Sequence, residues 1–529
     1  MSTPSTPEMH WSRWGDPAEA GPLPESAFAL VDAFIGTSQT PAVDPAEVRL
    51  SEPLAQGLLA GLEEIVGAEH VLTDHETRLH RTRGKSTPDL LRLRAGDGAD
   101  SPDAVVRPGT HEEVAALIGW CVANRVALVP FGGGTSVVGG LVAQRGDLTG
   151  VVSLDLIRFD RLLAVDTDSM TATLEPGLRG PQAEALLAEH GLTLGHFPQS
   201  FEYASIGGFA VTRSSGQSSS GYGRFDSLVV GLRVATPQGE LVLGNSPANA
   251  AGPDLREVVM GSEGAFGVVT AVTVRVRHVP TVKVYEKWRW DSFDAGAGAM
   301  RTLAQTGVLP TVLRLSDEAE TSVNLAEPAE VGREQAPESS GGCVMVTGYE
   351  GTQEAVDAKR AACTALLSGL GGTSLGEDAG WAEGRFHGPY LRDSLLDVGV
   401  LVETLETVTF WSNLRQVYDA VTDALTTALG EGTLVLCHIS HVYETGASLY
   451  FTVATKQSDD PLAQWLAAKQ AASDAIIDNG ASITHHHAVG QDHKPWLARE
   501  VGPVGVRMLR ALKAELDPTG VLNPGVLVP

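Results

Sequence analysis

Three consecutive histidines, His485, His486 and His487, put three imidazoles into one short segment. Imidazole titrates near neutral pH, so the cluster suits proton transfer or substrate orientation, and it also suits a metal ion. Consecutive side chains of an extended chain alternate faces, which leaves at most two of the three for one ion; a packed or solvated role is the remaining reading. Upstream, Cys437-His-Ile-Ser-His runs on to Gly446-Ala-Ser-Leu-Tyr-Phe451, a strand-like segment that presents Tyr450 to one side. Tyr450 is a candidate acid or base, with a packed aromatic as the bland alternative. Arg314 and Arg392 stand beside apolar residues, where a guanidinium either makes a buried ion pair or grips a phosphate with its planar fork.

A second chemistry lies in the first half. Pro130-Phe-Gly-Gly-Gly-Thr-Ser136 follows a predicted strand, and its successive glycines let backbone N–H groups turn inward around a pyrophosphate. It has neither the GK[ST] of a Walker loop nor a spaced GxGxxG. Pro198-Gln-Ser-Phe-Glu-Tyr-Ala-Ser-Ile-Gly-Gly208, continued by Thr212-Arg-Ser-Ser-Gly216, is a second such loop, and Gly261-Ser-Glu-Gly-Ala-Phe-Gly-Val-Val269 a third. Two loops of this kind can clasp one dinucleotide.

The elements that must hold these residues follow from periodicity. Residues 104–106 read as a strand, and Thr110-His-Glu-Glu113 is a capping box that starts a helix whose apolar positions recur at helical spacing. A strand over 126–129 completes a β-α-β unit. Strands over 151–156, 171–175, 228–236, 241–243 and 268–277, with helices over 54–66 and 182–189, give an α+β domain. Beyond Pro280 a second domain begins: an alternating strand over 282–290, a helix over 295–306 and a Gly/Glu/Pro-rich loop over 326–342. Residues 481–484 read as strand-like, and a helix over 501–515 precedes an irregular tail. The basic run Arg78-Leu-His-Arg-Thr-Arg-Gly-Lys85 is either a solvated face or a ligand-facing or subunit-facing one.

Composition narrows the classes. A chain of 529 residues holds more than one core. The formal charge of −27 repels nucleic acid and anionic lipid, so an anionic ligand needs locally placed arginines. Four scattered cysteines suggest neither disulfides nor a zinc knuckle. No apolar run approaches a membrane span and no secretory signal is readable, so a cytoplasmic location is expected.

The order PFGGGTS, then SIGG…TRSSG, then GSEGAFGVV resembles the vanillyl-alcohol-oxidase type of flavoprotein. That resemblance implies an α+β fold: a two-subdomain PCMH-type FAD-binding domain with a C-terminal α+β cap built on an antiparallel sheet. The expected limits are residues 1–100 for an N-terminal region, 101–280 for the FAD domain, 281–475 for the cap and 476–529 for a segment completing the site. FAD would be lined by Pro130, Phe131, Gly132, Gly133, Gly134, Thr135 and Ser136. The second loop would add Gln199, Ser200, Phe201, Glu202, Tyr203, Ala204, Ser205, Gly207 and Gly208, then Thr212, Arg213, Ser214 and Ser215. The third would add Glu263, Gly264, Ala265, Phe266, Gly267, Val268 and Val269. Relatives with a covalent flavin carry a histidine in the first loop; Thr135 and Ser136 stand there, so a noncovalent FAD is expected.

Trp11-Ser-Arg-Trp-Gly15, Gly446–Phe451 and Ser482-Ile-Thr-His-His-His487 narrow the resemblance to the alkyldihydroxyacetonephosphate synthase family of ether-lipid enzymes. It implies exchange of the acyl group of acyl-dihydroxyacetone phosphate for a fatty alcohol with no net redox change, the flavin acting as a nucleophile. By the same resemblance Tyr450 is the acid/base, His485, His486 and His487 an essential triplet, Arg392 the phosphate ligand and Arg314 a further essential residue. No metal is expected. The expected partners are a phosphate-bearing lipid substrate, a second copy of the chain in a homodimer and a membrane surface touched peripherally. The rival is a metal-dependent flavin dehydrogenase of D-2-hydroxy acids. His438 would be its first ligand, but Tyr450 stands where its second histidine falls and His486 where its glutamate falls.

Overall fold

Thr110 caps the helix His111–Asn124, its hydroxyl accepting the Glu113 N–H at 3.1 Å. The Glu113 carboxylate reaches back to Gly109 N at 2.6 Å, one residue earlier than an ideal box. Arg125 turns left-handed at φ 54° and releases the chain into the strand Val126–Phe131. That strand pairs in parallel with Gly150–Asp155, which pairs in parallel with Ala104–Val106. Parallel strands are covered on both faces, and all six residues of Gly150–Asp155 are buried. The structure is a computed structural model that describes residues 7–323, 331, 341–378 and 380–529, apart from the side chain of Glu383. The loop expected over 326–342 therefore falls, except for 331, 341 and 342, outside the described residues, as does the start of the chain through residue 6.

A five-stranded antiparallel sheet completes the first half, in the order Gly239–Leu243, Val229–Thr236, Val268–Arg275, Thr171–Leu174, Leu162–Asp166. Ala235 and Val268 of this sheet join the core of the parallel sheet. The irregular tail is pinned rather than loose. Val521 O accepts Leu128 N at 2.8 Å, and Asn523 Nδ2 donates to Gly140 O and Glu263 O at 3.0 and 2.6 Å.

The second half is built on a seven-stranded antiparallel sheet: Thr373–Glu377, Val282–Trp290, Cys343–Gly351, Val312–Ser316, Leu434–Ile439, Gly446–Lys456, Val400–Phe410. Odd-numbered residues of its last strands, Leu401, Leu405, Cys437, Phe451 and Val453, enter a core shared with Trp465 and the helices Phe293–Gln305 and Leu414–Leu429. Successive strand residues alternate faces, so the even-numbered positions look the other way, toward the first half.

Three expectations change. Residues 481–484 form a turn with one isolated bridge, Val408 to Ser482, because the segment winds around a buried carboxylate instead of pairing along its length. The last helix starts earlier, at Lys494, and is broken where Gly502 takes φ 68° before Pro503. The basic run is not solvated. Arg81 pairs with Asp155 at 2.8 Å, Arg83 with Asp100 at 2.6 Å, and Lys85 Nζ holds Trp11 O at 3.2 Å. Arg78, Arg81, Arg83 and Lys85 are all buried: Arg78 and Arg81 fasten the N-terminal segment to Pro102 and Asp155 of the FAD domain, and Arg83 and Lys85 tie that segment to itself. Among the described residues, no helix is long and apolar enough to cross a membrane.

Candidate active site

The first loop must be glycine for a steric reason. A Cβ on Gly132 would strike Ser205 Oγ, and one on Gly133 would come within 2.7 Å of Ala204 Cα, so the first and second loops press backbone to backbone. Ser205 caps the helix Ile206–Val211 by accepting Gly208 N at 3.2 Å, which turns that helix N-terminus toward the same space. Gly132, Gly133, Gly134, Thr135, Ser136, Ser205, Gly207 and Gly208 all border one long cavity. Small residues, backbone donors and hydroxyls in that arrangement fit a dinucleotide pyrophosphate.

Of the other expected lining residues, Pro130, Gln199, Ser200, Ala204, Thr212, Ser214, Ser215, Glu263, Gly264, Gly267, Val268 and Val269 also border the cavity. Phe131, Phe201, Glu202, Tyr203, Arg213, Ala265 and Phe266 do not. Phe131 lies under the Arg81 guanidinium at 5.1 Å, and Phe201 stacks on Phe386. Tyr203 meets Trp14 edge-on, and Arg213 pairs with Asp226 at 3.3 Å. Ala265 and Phe266 pack with Val489, Val526 and Leu527. Buried Glu263 accepts Gly490 N at 2.6 Å; burial raises its carboxyl to about 7 against that hydrogen bond.

Strand register assembles the opposite end. Ser316 lies opposite His438, His438 opposite Tyr450, and Tyr450 opposite Glu406, so four adjacent strands offer one row of side chains on one face. Tyr450 stacks on His438 with ring centroids 4.8 Å apart. Burial pushes the Tyr450 phenol up to about 12, partly offset by the Thr404 hydroxyl, so it carries its proton at neutral pH. Arg314 is two residues from Ser316 on the same face. It pairs with Glu320 and stands 3.0 Å from His438 Nδ1, which is also 3.0 Å from the second Glu320 oxygen. Burial works against the Glu320 charge, but Arg314 and then His438 hold the carboxyl down to about 2.

The triplet is organised by Glu406, a residue with no motif to announce it. Its carboxylate is wholly buried and accepts the backbone N–H groups of His485, His486 and His487 at 2.6, 3.1 and 2.9 Å, and the Thr484 hydroxyl at 2.5 Å. Burial opposes its charge, but the three imidazoles and Thr484 keep it below the usual carboxylate range. Burial in turn lowers the histidines, His487 to about 3, so the imidazoles are neutral. His486 and His487 border the cavity; His485 sits behind them, with Nε2 2.5 Å from Tyr443 Oη and Nδ1 2.9 Å from His486 Nδ1. His441 stacks on His485, and its Nδ1 lies 3.0 and 2.7 Å from the Ser215 and Ser219 hydroxyls. Ring nitrogens of His441, His485 and His486 lie within 4.8 Å of one another. The turn around Glu406 defeats the alternation expected of an extended chain. Glu403 and Glu406, two acids buried in the strand Val400–Phe410, were the available signal.

Arg392 borders the cavity from the helix Gly388–Asp397, with Nη1 2.6 Å from Lys85 O and Nε 2.8 Å from Asp393. Beyond Tyr450 the even-numbered positions continue as Thr452 and Ala454, Thr404 and Val402, Leu436 and Leu434, and with Val31, Leu391 and Leu395 they wall an apolar arm of the same cavity.

The comparisons with known proteins agree with this geometry. The FAD binding domain family matches residues 102–244, and the family of FAD linked oxidases, C-terminal domain, matches residues 279–527. The alkyldihydroxyacetonephosphate synthase of Dictyostelium discoideum is 34% identical, over 86% of this chain and 78% of its own length. That of Trypanosoma brucei brucei is 31% identical, over 100% of this chain and 94% of its own. The chain belongs to this synthase family. A solved alkyldihydroxyacetonephosphate synthase superposes with a TM-score of 0.83 at 28% identity, covering 98% of both chains. The cofactor is FAD, and the fold is the PCMH-type FAD-binding fold.

Proposed function

We propose that this chain replaces the acyl group of acyl-dihydroxyacetone phosphate with a fatty alcohol, releasing the fatty acid. The carbon–oxygen bond to the carboxylate breaks and one to the alcohol oxygen forms, so no electron acceptor is consumed. The supporting observation is one continuous sheet face that carries His438 and Tyr450, with His486 laid against Tyr450 from the turn around Glu406, and that then turns apolar through Ala454 and Leu436 toward Leu434. A short 2-hydroxy acid has no use for that apolar arm; a long chain does. FAD, when bound, supplies the nucleophilic centre.

In this reading Tyr450 is the proton carrier at the carbon beside the ketone, and it starts each cycle protonated. The imidazoles of His486 and His487 lie against its ring and, lowered by burial, are neutral as well. Arg392 anchors the phosphate and Arg314 fixes His438 through Glu320. The test is turnover of acyl-dihydroxyacetone phosphate with labelled fatty alcohol, without oxygen or any other acceptor. Label entering product over many cycles supports the exchange. Flavin bleached once by a 2-hydroxy acid, with no label incorporated, overturns it in favour of a dehydrogenase.

A further inference from the structure

Among the described residues three arginines border the cavity, and they differ in what already holds them. Arg314 is paired with Glu320, and Arg392 with Asp393 and the Lys85 carbonyl, and each leaves one buried nitrogen, Arg314 Nε and Arg392 Nη2, without a hydrogen bond. Arg385 has no ion pair among the described residues, and its Nε and Nη1 are buried donors with no hydrogen-bond partner. Its guanidinium is held in place by aromatic faces, 4.8 Å from the Phe386 ring centre and 5.0 Å from that of Phe197. Lys283 stands over Phe197 as well, at 5.7 Å, so two cations meet at one corner of a strongly acidic protein. Glu350, opposite Lys283 on the neighbouring strand, accepts the hydroxyls of Tyr222 and Tyr285, each at 2.9 Å, and makes no ion pair with Arg385 among the described residues.

A buried guanidinium with two unused N–H donors is costly unless a ligand completes it. We infer that Arg385 is an oxyanion-binding residue of this cavity and that its ligand is the phosphate of the substrate. Stacking on Phe197 and Phe386 fixes the guanidinium plane and leaves Nε–H and Nη1–H, on separate edges of it, each able to donate to a phosphate oxygen. Arg392, tied to Asp393, then orients the substrate from the helix side while Arg385 supplies the uncompensated charge. The identity of the ligand rests on the exchange reaction proposed above; the oxyanion site does not. The released fatty acid is the other oxyanion at hand, and the test separates the two.

The experiment titrates FAD-loaded enzyme with inorganic phosphate, dihydroxyacetone phosphate and, separately, palmitate, reading the flavin absorbance and the heat of binding. Arg385→Gln is expected to weaken both phosphate ligands about 10- to 100-fold, with palmitate affinity and FAD content unchanged. Arg385→Lys is expected to recover only part of the loss, because an ammonium lacks the planar, aromatic-stacked set of N–H donors. On the unmutated enzyme, phosphate is expected to protect Arg385 from phenylglyoxal, as mapped by mass spectrometry; this readout does not depend on how the variants fold. Unchanged phosphate binding in Arg385→Gln, absence of protection, or a loss confined to palmitate overturns the assignment. Weakened phosphate binding without any alcohol exchange would leave the oxyanion site standing and remove the proposed reaction.

Discussion

The cofactor loops and the acid–base end of the cavity are built on opposite principles. At the loops the working groups belong to the backbone: Gly132 to Gly134 and Gly207 to Gly208 matter because a side chain would collide with the facing loop. At the other end they are side chains from six separate segments, which carry Arg314, Glu320, Glu406, His438, Tyr450 and His485 to His487. Each group there is held by another buried charge or dipole, and the loops need almost none. A backbone site is local and tolerates change around it, whereas a side-chain network fails at whichever member leaves a charge or donor unpaired.

The sharpest break comes at Tyr450. Tyr450→Phe keeps the stacked ring on His438 and removes only the hydroxyl, so turnover is expected to fall about 10²- to 10⁴-fold while FAD stays bound. Steady-state rates on protein of verified flavin content check this. A loss of flavin with the rate would mean that the two ends are one structural unit.

Glu406→Gln tests the network itself. The amide offers one acceptor oxygen to four donors, and each buried donor left unpaired costs about 1–3 kcal/mol. A large fall in the thermal midpoint with loss of activity is expected. The same cluster sets an acid limit. His487 is neutral in the fold down to about pH 3, whereas an unfolded histidine takes up its proton near pH 6.5. The unfolded chain therefore binds more protons between those values, and stability present above pH 6.5 is lost as pH falls, by about 1.4 kcal/mol per pH unit for each such histidine. Thermal midpoints measured from pH 7 to pH 5 should decline, and a flat profile would show that the triplet is already charged.

At the loops the expected effect is smaller. Gly133→Ala puts a methyl against Tyr203 O and Ala204 Cα, so the facing loops must part, and a cost to the fold of about 1–3 kcal/mol is expected together with weaker FAD binding. The flavin should leave with acid precipitation in both proteins, since no histidine stands at Thr135 or Ser136 to bond it.

The same contrast explains what could be read in advance. The loops were legible because glycine, serine and threonine in PFGGGTS are contiguous, and the reason for them is local. The β-α-β unit announced itself through Thr110 and the helical spacing behind it. Tyr450 and the triplet were visible as residue types, but not Glu406, which looks like one polar residue in a strand and becomes central only when pairing sets it opposite Tyr450. His441 and Tyr443 were hidden for the same reason. The basic run was open to misreading because charge runs are commonly solvated, and only the folded positions of Asp155, Asp100 and the N-terminal segment show it buried.

The smallest expected effect is none at all, and it decides how the histidines are used. His441, His485 and His486 bring three ring nitrogens within 4.8 Å, close enough to raise the question of a metal. Ligand nitrogens on a tetrahedral zinc at ~2.1 Å stand roughly 3.4 Å apart. The Nδ1 atoms of His485 and His486 are 2.9 Å apart, the separation of a hydrogen bond, which requires a proton on one of them. The other His485 nitrogen is committed to Tyr443 at 2.5 Å, and His441 Nδ1 to Ser215 and Ser219. Both nitrogens of His485 and the Nδ1 atoms of His441 and His486 are thus in use within the protein, which leaves the three rings without three lone pairs for one ion. Dialysis against a chelator is therefore expected to leave the exchange rate and the thermal midpoint unchanged, with no stoichiometric zinc or manganese by elemental analysis. Activity lost on chelation and restored by one of these ions would show that the side-chain end is a metal centre and would return the dehydrogenase reading to first place.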